Sequence, residues 1–450
     1  MSGTPTAVSA PGKVLLAGGY LVLDRQYTGL VFGLSARINV AAQEIKTIKG
    51  VQLSEIVVDS PQFLEAQWRY GYHLAPEDGG IKVTQLQVGS NINKNPFVEV
   101  TLAYALTYIT TTGHLKKSYT FDPVQLTILA DNDYYSQSHT SPSSPSPSSR
   151  FVKFPTKLKD AHKTGLGSSA ALVTALTAAL LTHYLPPSAF DPATESGKLV
   201  LHNLAQAAHC AAQGKVGSGF DVAAAVFGSS VYRRFSPALL RDLPEVGTPG
   251  FAPALAARVD PTSATSAWDT QVAKEGVNMP PGVALRMCDV DCGSQTVGMV
   301  KQVLKWRDET DPQGAKTLWD DLQKRNEELG AVLSQDRKAD IRGAVESVRA
   351  LVRRMGEQSG VPIEPESQTQ LLDALTREVD GVYAGVVPGA GGYDALALLV
   401  QDDEATEGRI KSFLERWSEE KGGRVRLLDV KGEMEGVRKE ELGQYRGWLP

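Results

Sequence analysis

The sequence predicts an α+β fold in two halves, and three observations lead to this prediction. The chain has 450 residues, which is too many for a single compact core. Apolar or alternating runs typical of strands are interleaved with segments of helical periodicity. Residues 236–281 are rich in proline, alanine and threonine, and they separate the two halves like a linker or an irregular edge. We therefore expect domains at 1–235 and 236–450.

The first half alternates strands and helices. Apolar or alternating residues predict strands within 7–48 and at 124–131. A helix is predicted at 96–111, because Asn95 precedes a proline at the first helical position. Helical periodicity predicts a further helix at 198–213.

The second half begins with a predicted strand at 282–290 and ends with another at 423–430. The helices predicted between them cover roughly 294–307, 313–334, 337–356 and 403–419.

Residues 136–150, in the first half, are almost entirely serine and proline. Such a segment cannot bury apolar surface, so it is predicted to be a disordered surface insertion.

The composition excludes several classes of protein. A net charge of −5 argues against a general binder of nucleic acid or anionic membranes, although a basic cleft for an anionic ligand remains possible. Three cysteines without CxxC spacing argue against a zinc site or a disulfide framework, and they fit a reducing compartment. Because no secretory leader and no apolar run of about 18 residues is evident, we expect a cytoplasmic protein without a membrane span.

Three glycine-rich clusters carry the chemical signal: SAPGKVLLAGGYLVLD (9–24), KTGLGSSAA (163–171) and GVVPGAGGYDALALL (385–399). A single cluster of this kind is more often a tight turn than a ligand site. The second is not a Walker P-loop, because Ser168 stands where that motif requires lysine.

The second cluster has the residues of a phosphate-binding turn. Gly165 and Gly167 allow backbone conformations that are closed to other residues. Ser168 and Ser169 are candidates to cap the helix that follows, whose first amides and dipole attract anions. Lys163 adds a positive charge. A capped core helix is the alternative, and this stretch alone does not separate the two.

Taken in order, the clusters resemble the three motifs of the GHMP kinases, and they span nearly the whole chain. The resemblance implies an N-terminal α/β domain with a left-handed βαβ crossover, a C-terminal ferredoxin-like domain, and ATP bound in the cleft between them. GLGSSAA is highly specific for this family. The resemblance also implies Mg²⁺ as the cofactor, with the Ser169 hydroxyl as its ligand.

Lys13 and Asp221 are the catalytic residues that the resemblance implies. Those implied to bind ATP are Lys163, Gly165, Leu166, Gly167, Ser168, Ser169, Ala170 and Asn95. Those implied to bind the acceptor are Lys13, Tyr20, Lys215, Ser218, Ser294, Thr296, Gly389, Ala390, Gly391 and Asp394. Four of these residues have a plain alternative: Lys13 as a surface lysine at a strand start, Asp221 as a helix N-cap, and Lys163 and Lys215 as solvated loop lysines.

Within the family, QGKVGSGFD (213–221) and GSQT (293–296) resemble the fungal branch that acts on phosphomevalonate. This implies ATP-dependent phosphorylation of (R)-5-phosphomevalonate to 5-diphosphomevalonate, in the mevalonate pathway of isoprenoid and sterol synthesis, by a monomer or homodimer. Mevalonate kinases use a second acid upstream of the catalytic aspartate, but no Asp or Glu lies between Glu195 and Asp221. The alternatives are another kinase of the family such as a mevalonate kinase, the related diphosphomevalonate decarboxylase, and an inactive member that senses a metabolite.

A phosphate acceptor changes what the site must do. Its second pKa is about 6, so at pH 7 it is mostly a dianion and already nucleophilic. We expect Lys13, Lys163 and Lys215 to offset repulsion between the polyanions, while Asp221 orients Lys13 or the metal.

His202 and His209 lie seven residues apart on a predicted helix, about 10 Å, which is too far for one zinc. They are predicted to pack or cap, although His209 could line the cleft.

Overall fold

The computed structural model describes residues 5–46, 54–86, 94–114, 121–136, 150–263, 267–291 and 298–449. Nearly all of the predicted serine–proline insertion lies outside these ranges. The two predicted acceptor-binding residues Ser294 and Thr296 lie outside them as well.

The described residues form thirteen strands. They are β1 (Thr6–Ala17), β2 (Gly29–Glu44), β3 (Glu55–Asp59), β4 (Gln67–Leu74), β5 (Ile81–Gln85), β6 (Val124–Ala130), β7 (Ser230–Arg233), β8 (Gln271–Ala273), β9 (Val283–Asp291), β10 (Val382–Val386), β11 (Ala395–Gln401), β12 (Arg424–Glu433) and β13 (Arg438–Lys439).

Eleven α-helices are present in the same ranges. They are α1 (Pro96–Thr111), α2 (Ser168–Tyr184), α3 (Glu195–Gln213), α4 (Phe220–Phe227), α5 (Ala238–Arg241), α6 (Phe251–Val259), α7 (Met299–Lys305), α8 (Pro312–Ser334), α9 (Ile341–Ser359), α10 (Glu366–Glu378) and α11 (Glu404–Lys421). None of the described helices combines the length and the apolar character that crossing a membrane would require.

The long strand β2 is the centre of the fold. It pairs with β1, β6, β7 and β12 in one continuous sheet of order β10-β11-β9-β12-β2-β6-β3-β4-β5. Helix α2 packs against β1 and β2, and α1 and α3 pack on α2. The buried residues of α2 between Ala170 and Leu181 cover every face of the helix, which explains why the sequence there is almost wholly apolar.

The second half has the ferredoxin-like topology that the resemblance to the GHMP kinases implies. The chain runs from β9 through four helices to the hairpin β10–β11, and then through α11 to β12. All its neighbouring strands are antiparallel, in the order β10-β11-β9-β12. This is the βαββαβ arrangement with the first strand between the third and the fourth. The handedness of the crossover predicted for the first half stays a prediction.

Two segments outside that unit pack on the first half. Within 236–281, which the composition assigned to a linker or irregular edge, α6 contacts α1 and α3, and β8 pairs with β7. At the end of the chain, β13 pairs with β1, and Tyr445 stacks on Phe151 at 5.9 Å between ring centroids. The domain limits at 235/236 stay a prediction, because these contacts describe packing and not independent folding units.

Local signals predicted some elements better than others. Helix α1 has the predicted limits, and the side chain of Asn95 accepts a hydrogen bond from the Val98 amide at 3.4 Å. The sequence analysis did not identify β3, β4, β5, β7, β8, β10, β13, α5, α6 or α10. Strands β4 and β5 lie at one end of the sheet, where alternate residues face solvent and the apolar signal is weak.

We expect His202 on α3 to make stability depend on pH. Its ring is 1% exposed among the aromatic rings of Phe227 and Trp268, and Nδ1 lies 3.1 Å from the Asn203 side-chain oxygen. Burial lowers the pKa of His202 from 6.5 to about 4. Between these values the unfolded chain binds a proton here and the folded chain does not. The free energy of unfolding should therefore fall by on the order of 3 kcal/mol as the pH drops through this window.

The measurement is urea unfolding at a series of pH values for the wild type and His202→Gln. The difference between the two slopes isolates this group from other titrating residues. An identical pH dependence in both proteins would contradict the assignment.

Candidate active site

The first and second glycine clusters meet at Lys13 on β1. The Lys13 amide donates to the Leu166 carbonyl at 2.9 Å, and Lys13 Nζ donates to the Gly165 carbonyl at 3.3 Å. A Cβ added to Gly12 would lie only 2.9 Å from the same Leu166 oxygen. The strand can approach the loop this closely because residue 12 has no side chain.

The third cluster lies against the same strand. The Gly389 amide donates to the Leu15 carbonyl at 3.0 Å, and the Tyr20 hydroxyl donates to the Ala390 carbonyl at 2.6 Å. A Cβ on Gly19 would come within 2.2 Å of the Gly389 oxygen. All three clusters therefore converge on β1 and the turn that follows it.

The start of α2 differs from the prediction. Gly167, with φ of 82°, is the N-cap, and no side chain caps the helix. Ser168 and Ser169 occupy the first helical positions, so the prediction that they cap α2 is wrong. The first amides of the helix lack side-chain acceptors, as an anion site requires.

His209 on α3 connects two of the predicted functional residues. Its Nε2 lies 3.2 Å from the Ser169 hydroxyl oxygen, and its Nδ1 lies 3.9 Å from an Asp221 carboxylate oxygen. Asp221 stands in the first turn of α4, after the N-cap Gly219, so its alternative role as an N-cap is wrong. The structure thus brings Ser169 and Asp221 to opposite sides of one imidazole.

Lys13 is half-buried at the centre of this group. Burial lowers the pKa of its ammonium, and the nearby Asp221 carboxylate acts in the opposite direction. The ring of Phe220 lies 5.8 Å from Nζ. A poorly hydrated ammonium gains more from an anionic ligand than a fully solvated one does, because less hydration is lost on binding.

Four of the predicted ATP-binding residues line one cavity of about 90 Å³. They are Asn95, Lys163, Ser168 and Ser169. Their aromatic neighbours, which the sequence analysis missed, are Phe63, Trp68, Phe97 and Tyr135. Leu166 and Ala170 are 2% and 0% exposed, so these two positions offer a ligand only their backbone.

The acceptor-side residues are brought together only in part. The Tyr232 hydroxyl donates to the Ser218 carbonyl at 2.8 Å, and Arg234 donates to the Gly217 carbonyl at 2.7 Å, so the loop before α4 is held firmly. The exposed Lys215 lines a different cavity of about 590 Å³, between α1 and α3. That cavity shares no lining residue with the first one.

The third cluster is fixed mainly through its backbone. Gly391, with φ of 83°, has no room for a Cβ, which would lie 2.2 Å from the Ile363 oxygen. The Asp394 carbonyl accepts from the Val290 amide at 2.8 Å.

The sequence analysis missed Arg234 as a support of the loop before α4. The position of His209 four residues before Gln213 was the only local signal for its place at the site.

We expect Gly167→Ala and Gly165→Ala to separate backbone strain from displacement of Lys13. Both glycines have positive φ, 82° and 74°, so alanine should cost each variant about 1–2 kcal/mol of stability. A Cβ at 167 would lie 2.8 to 2.9 Å from the Lys13 side chain, whereas a Cβ at 165 meets nothing within 4 Å.

Only Gly167→Ala should move the lysine, so its kcat/KM should fall at least about tenfold further than that of Gly165→Ala. Thermal unfolding and steady-state kinetics of the two variants provide the comparison. Equal kinetic losses would show that Lys13 placement is not what residue 167 controls.

Comparisons with known proteins agree with this geometry. Residues 154–229 match the GHMP kinases N-terminal domain, and residues 337–419 match the GHMP kinases C-terminal domain. The phosphomevalonate kinase of Gibberella zeae is 64% identical over 443 residues, covering 98% of both chains. That of Aspergillus fumigatus is 46% identical over 488 residues, covering 99% of this chain and 98% of its own.

The fold is shared with more distant solved structures. The phosphomevalonate kinase of Streptococcus pneumoniae, solved in complex with phosphomevalonate and AMPPNP, has a TM-score of 0.61 at 17% identity. The match covers 95% of this chain and 99% of that one. The two fungal relatives, at 64% and 46% identity, match this chain over nearly its full length, and all three glycine motifs meet at one strand. The chain therefore belongs to the GHMP kinase family.

Proposed function

We propose that this protein transfers the γ-phosphoryl group of ATP to (R)-5-phosphomevalonate, giving 5-diphosphomevalonate and ADP. The observation that carries the proposal is the meeting of Lys13, the start of α2 and Asp221 at the junction of the three glycine clusters. The choice of acceptor is supported by 64% identity over nearly the whole chain to a phosphomevalonate kinase.

The chain's own groups serve mainly to hold and neutralise phosphates. The uncapped amides at the start of α2 and the ammonium of Lys13 face the same loop. Lys163, exposed at the cavity that Ser168 and Ser169 also line, adds a second cation. Phosphoryl transfer depends chiefly on such positioning and charge stabilisation.

The reaction needs no proton from the acceptor. An oxygen of the phosphomevalonate phosphate attacks the γ-phosphorus, the bond from that phosphorus to the bridging oxygen breaks, and ADP leaves with the electron pair. The acceptor phosphate has a second pKa of about 6 and is mostly ionised at pH 7. Asp221 therefore orients Lys13 or the cation rather than acting as a base.

The residues present fit Mg²⁺ bound together with ATP. The Ser169 hydroxyl or the Asp221 carboxylate, which lie on opposite sides of the His209 ring, would supply a protein oxygen to the ion. Mg²⁺ is usually bound through one or two protein oxygens plus substrate phosphates. In the ranges that the structure describes, no group of three His, Cys, Asp or Glu residues forms a separate metal cage. When bound, the ion would neutralise phosphate charge.

The acceptor is tested by coupled ADP release with Mg·ATP. Phosphomevalonate is compared with mevalonate, diphosphomevalonate, galactose and homoserine. Turnover with phosphomevalonate alone is the expected result. Turnover with another acceptor would replace the substrate, and tight ATP binding without ADP release would favour an inactive metabolite sensor.

We also expect Lys13→Met and Asp221→Asn to differ in severity. Lys13→Met removes charge stabilisation at the transferring group and should lower kcat at least about 10³-fold. It should not lower thermal stability, because it removes a half-buried charge. Asp221→Asn should lower kcat about 10- to 100-fold with ATP affinity intact, since no proton transfer is lost.

The measurements are kcat, nucleotide affinity and thermal unfolding of both variants. If Asp221→Asn removes turnover as completely as Lys13→Met while ATP still binds, Asp221 has a more direct role than orientation.

The cytoplasmic location and the monomeric or homodimeric state remain part of the proposal. Analytical ultracentrifugation of the purified chain tests the latter.

A further inference from the structure

The third glycine cluster needs contacts from other parts of the chain to hold one conformation. Gly389, Gly391 and Gly392 have φ of 68°, 83° and 102°, so the loop has little conformational preference of its own. The hydrogen bonds to Leu15 and from Tyr20 hold its first part. Its second part contacts the segment that leads into α10 and the first turn of that helix.

Two hydrogen bonds join the second part of the loop to this segment. The Gly392 amide donates to the Ile363 carbonyl at 2.9 Å, and the Gln368 side-chain amide donates to the Tyr393 carbonyl at 2.9 Å. Ile363 and Gln368 are 3% and 2% exposed, so both contacts are made in the interior. The position of the loop therefore depends on the position of the segment.

A buried ion pair fixes the segment against α9. The side chains of Glu364, which follows Ile363, and of Arg349 on α9 are 1% and 5% exposed. Arg349 Nε lies 3.1 and 3.2 Å from the two carboxylate oxygens of Glu364, and Nη2 lies 2.7 Å from one of them. The same carboxylate accepts from Arg353 at 2.9 Å and from the Thr369 hydroxyl at 3.1 Å.

The value of such a pair is geometric. A buried ion pair contributes little net stability, because the cost of removing both charges from water offsets much of their attraction. A two-point contact between a guanidinium and a carboxylate, however, fixes both distance and orientation. Arg349 and Glu364 also line a cavity of about 20 Å³ together with Gly18, Tyr20 and Gly389. The pair thus borders the place where the first and third glycine clusters meet.

We propose that Arg349 and Glu364 are positioning residues for the third glycine cluster, and that through it they control binding of the phosphate acceptor. The ion pair holds Ile363 and Gln368 in place, and these two residues hold the loop. This inference rests on the proposed function in one respect, namely that the third cluster binds the acceptor. The positioning itself does not depend on which molecule the acceptor is.

The test compares Glu364→Gln with Asp373→Asn. Each replaces a carboxylate that accepts from Arg349, at 2.7 Å in both cases, by an amide of nearly the same size. Asp373 is the matched control, because its side chain is 50% exposed and lies further along α10. Hydrogen exchange of the ligand-free protein is measured at 387–394 and, for reference, at 163–171. The KM values for phosphomevalonate and for Mg·ATP are measured alongside, with thermal unfolding to record any loss of stability separately.

In Glu364→Gln, exchange at 387–394 should become at least about tenfold faster, while exchange at 163–171 stays unchanged. The KM for phosphomevalonate should rise about tenfold, and that for Mg·ATP should change less than about twofold, because only the third cluster is displaced. Asp373→Asn should leave all of these quantities unchanged.

Unchanged exchange at 387–394 in Glu364→Gln, or the same changes in Asp373→Asn, would overturn the proposal. An equal rise of both KM values would overturn it too, since it would indicate a general loosening of the fold. Faster exchange with an unchanged KM for phosphomevalonate would overturn the role in acceptor binding.

Arg349→Lys keeps the test decisive if Glu364→Gln does not fold. Lysine keeps the positive charge beside Glu364 and loses the two-point contact. Exchange at 387–394 should again become faster, and unchanged exchange would overturn the proposal. Because exchange is measured without ligand, it gives an answer even if the wild type does not turn over phosphomevalonate, which is how failure of the proposed function would appear.

Discussion

The candidate site depends on the close backbone approach of two loops to one strand. On one side, the loop before α2 contacts β1 through Lys13 and Leu166, and on the other, the third glycine cluster contacts it through Leu15 and Gly389. A Cβ on Gly12 or Gly19 would push one of these loops away. Because both loops hydrogen-bond to β1, a shift of β1 would misplace all three motifs together.

The edges of β1 are fixed by contacts far from the site. One edge pairs with β2, and the other pairs with β13 through Val8 and Lys439. Arg37, 1% exposed on β2, binds the Ser9 hydroxyl on β1, the Glu433 carboxylate at 3.1 Å and the Gly436 carbonyl. A buried guanidinium is tolerated only when its donors are satisfied. The end of the chain therefore holds the first strand in register.

A lysine and the positive end of a helix dipole lie together at the candidate site. The half-buried Lys13 has a lowered pKa through burial, and the uncapped start of α2 adds the positive end of a helix dipole. The imidazole of His209 lies between two other polar groups, 3.2 Å from the Ser169 hydroxyl and 3.9 Å from the Asp221 carboxylate. The second large cavity, with Lys215 at its rim, is lined by a separate set of residues.

The sequence by itself determined the features that depend on local chemistry. Asn95 and the following proline defined the start of α1, and the order of the glycine clusters indicated the family. The βαββαβ half agrees with what the resemblance to that family implied. Only the tertiary structure decided that Gly167 caps α2, that Lys215 lies at another cavity, and that His209 joins Ser169 to Asp221. The contact between Ser169 and His209 depends on which helices meet in space, because residues 40 positions apart leave no local periodicity that could reveal it.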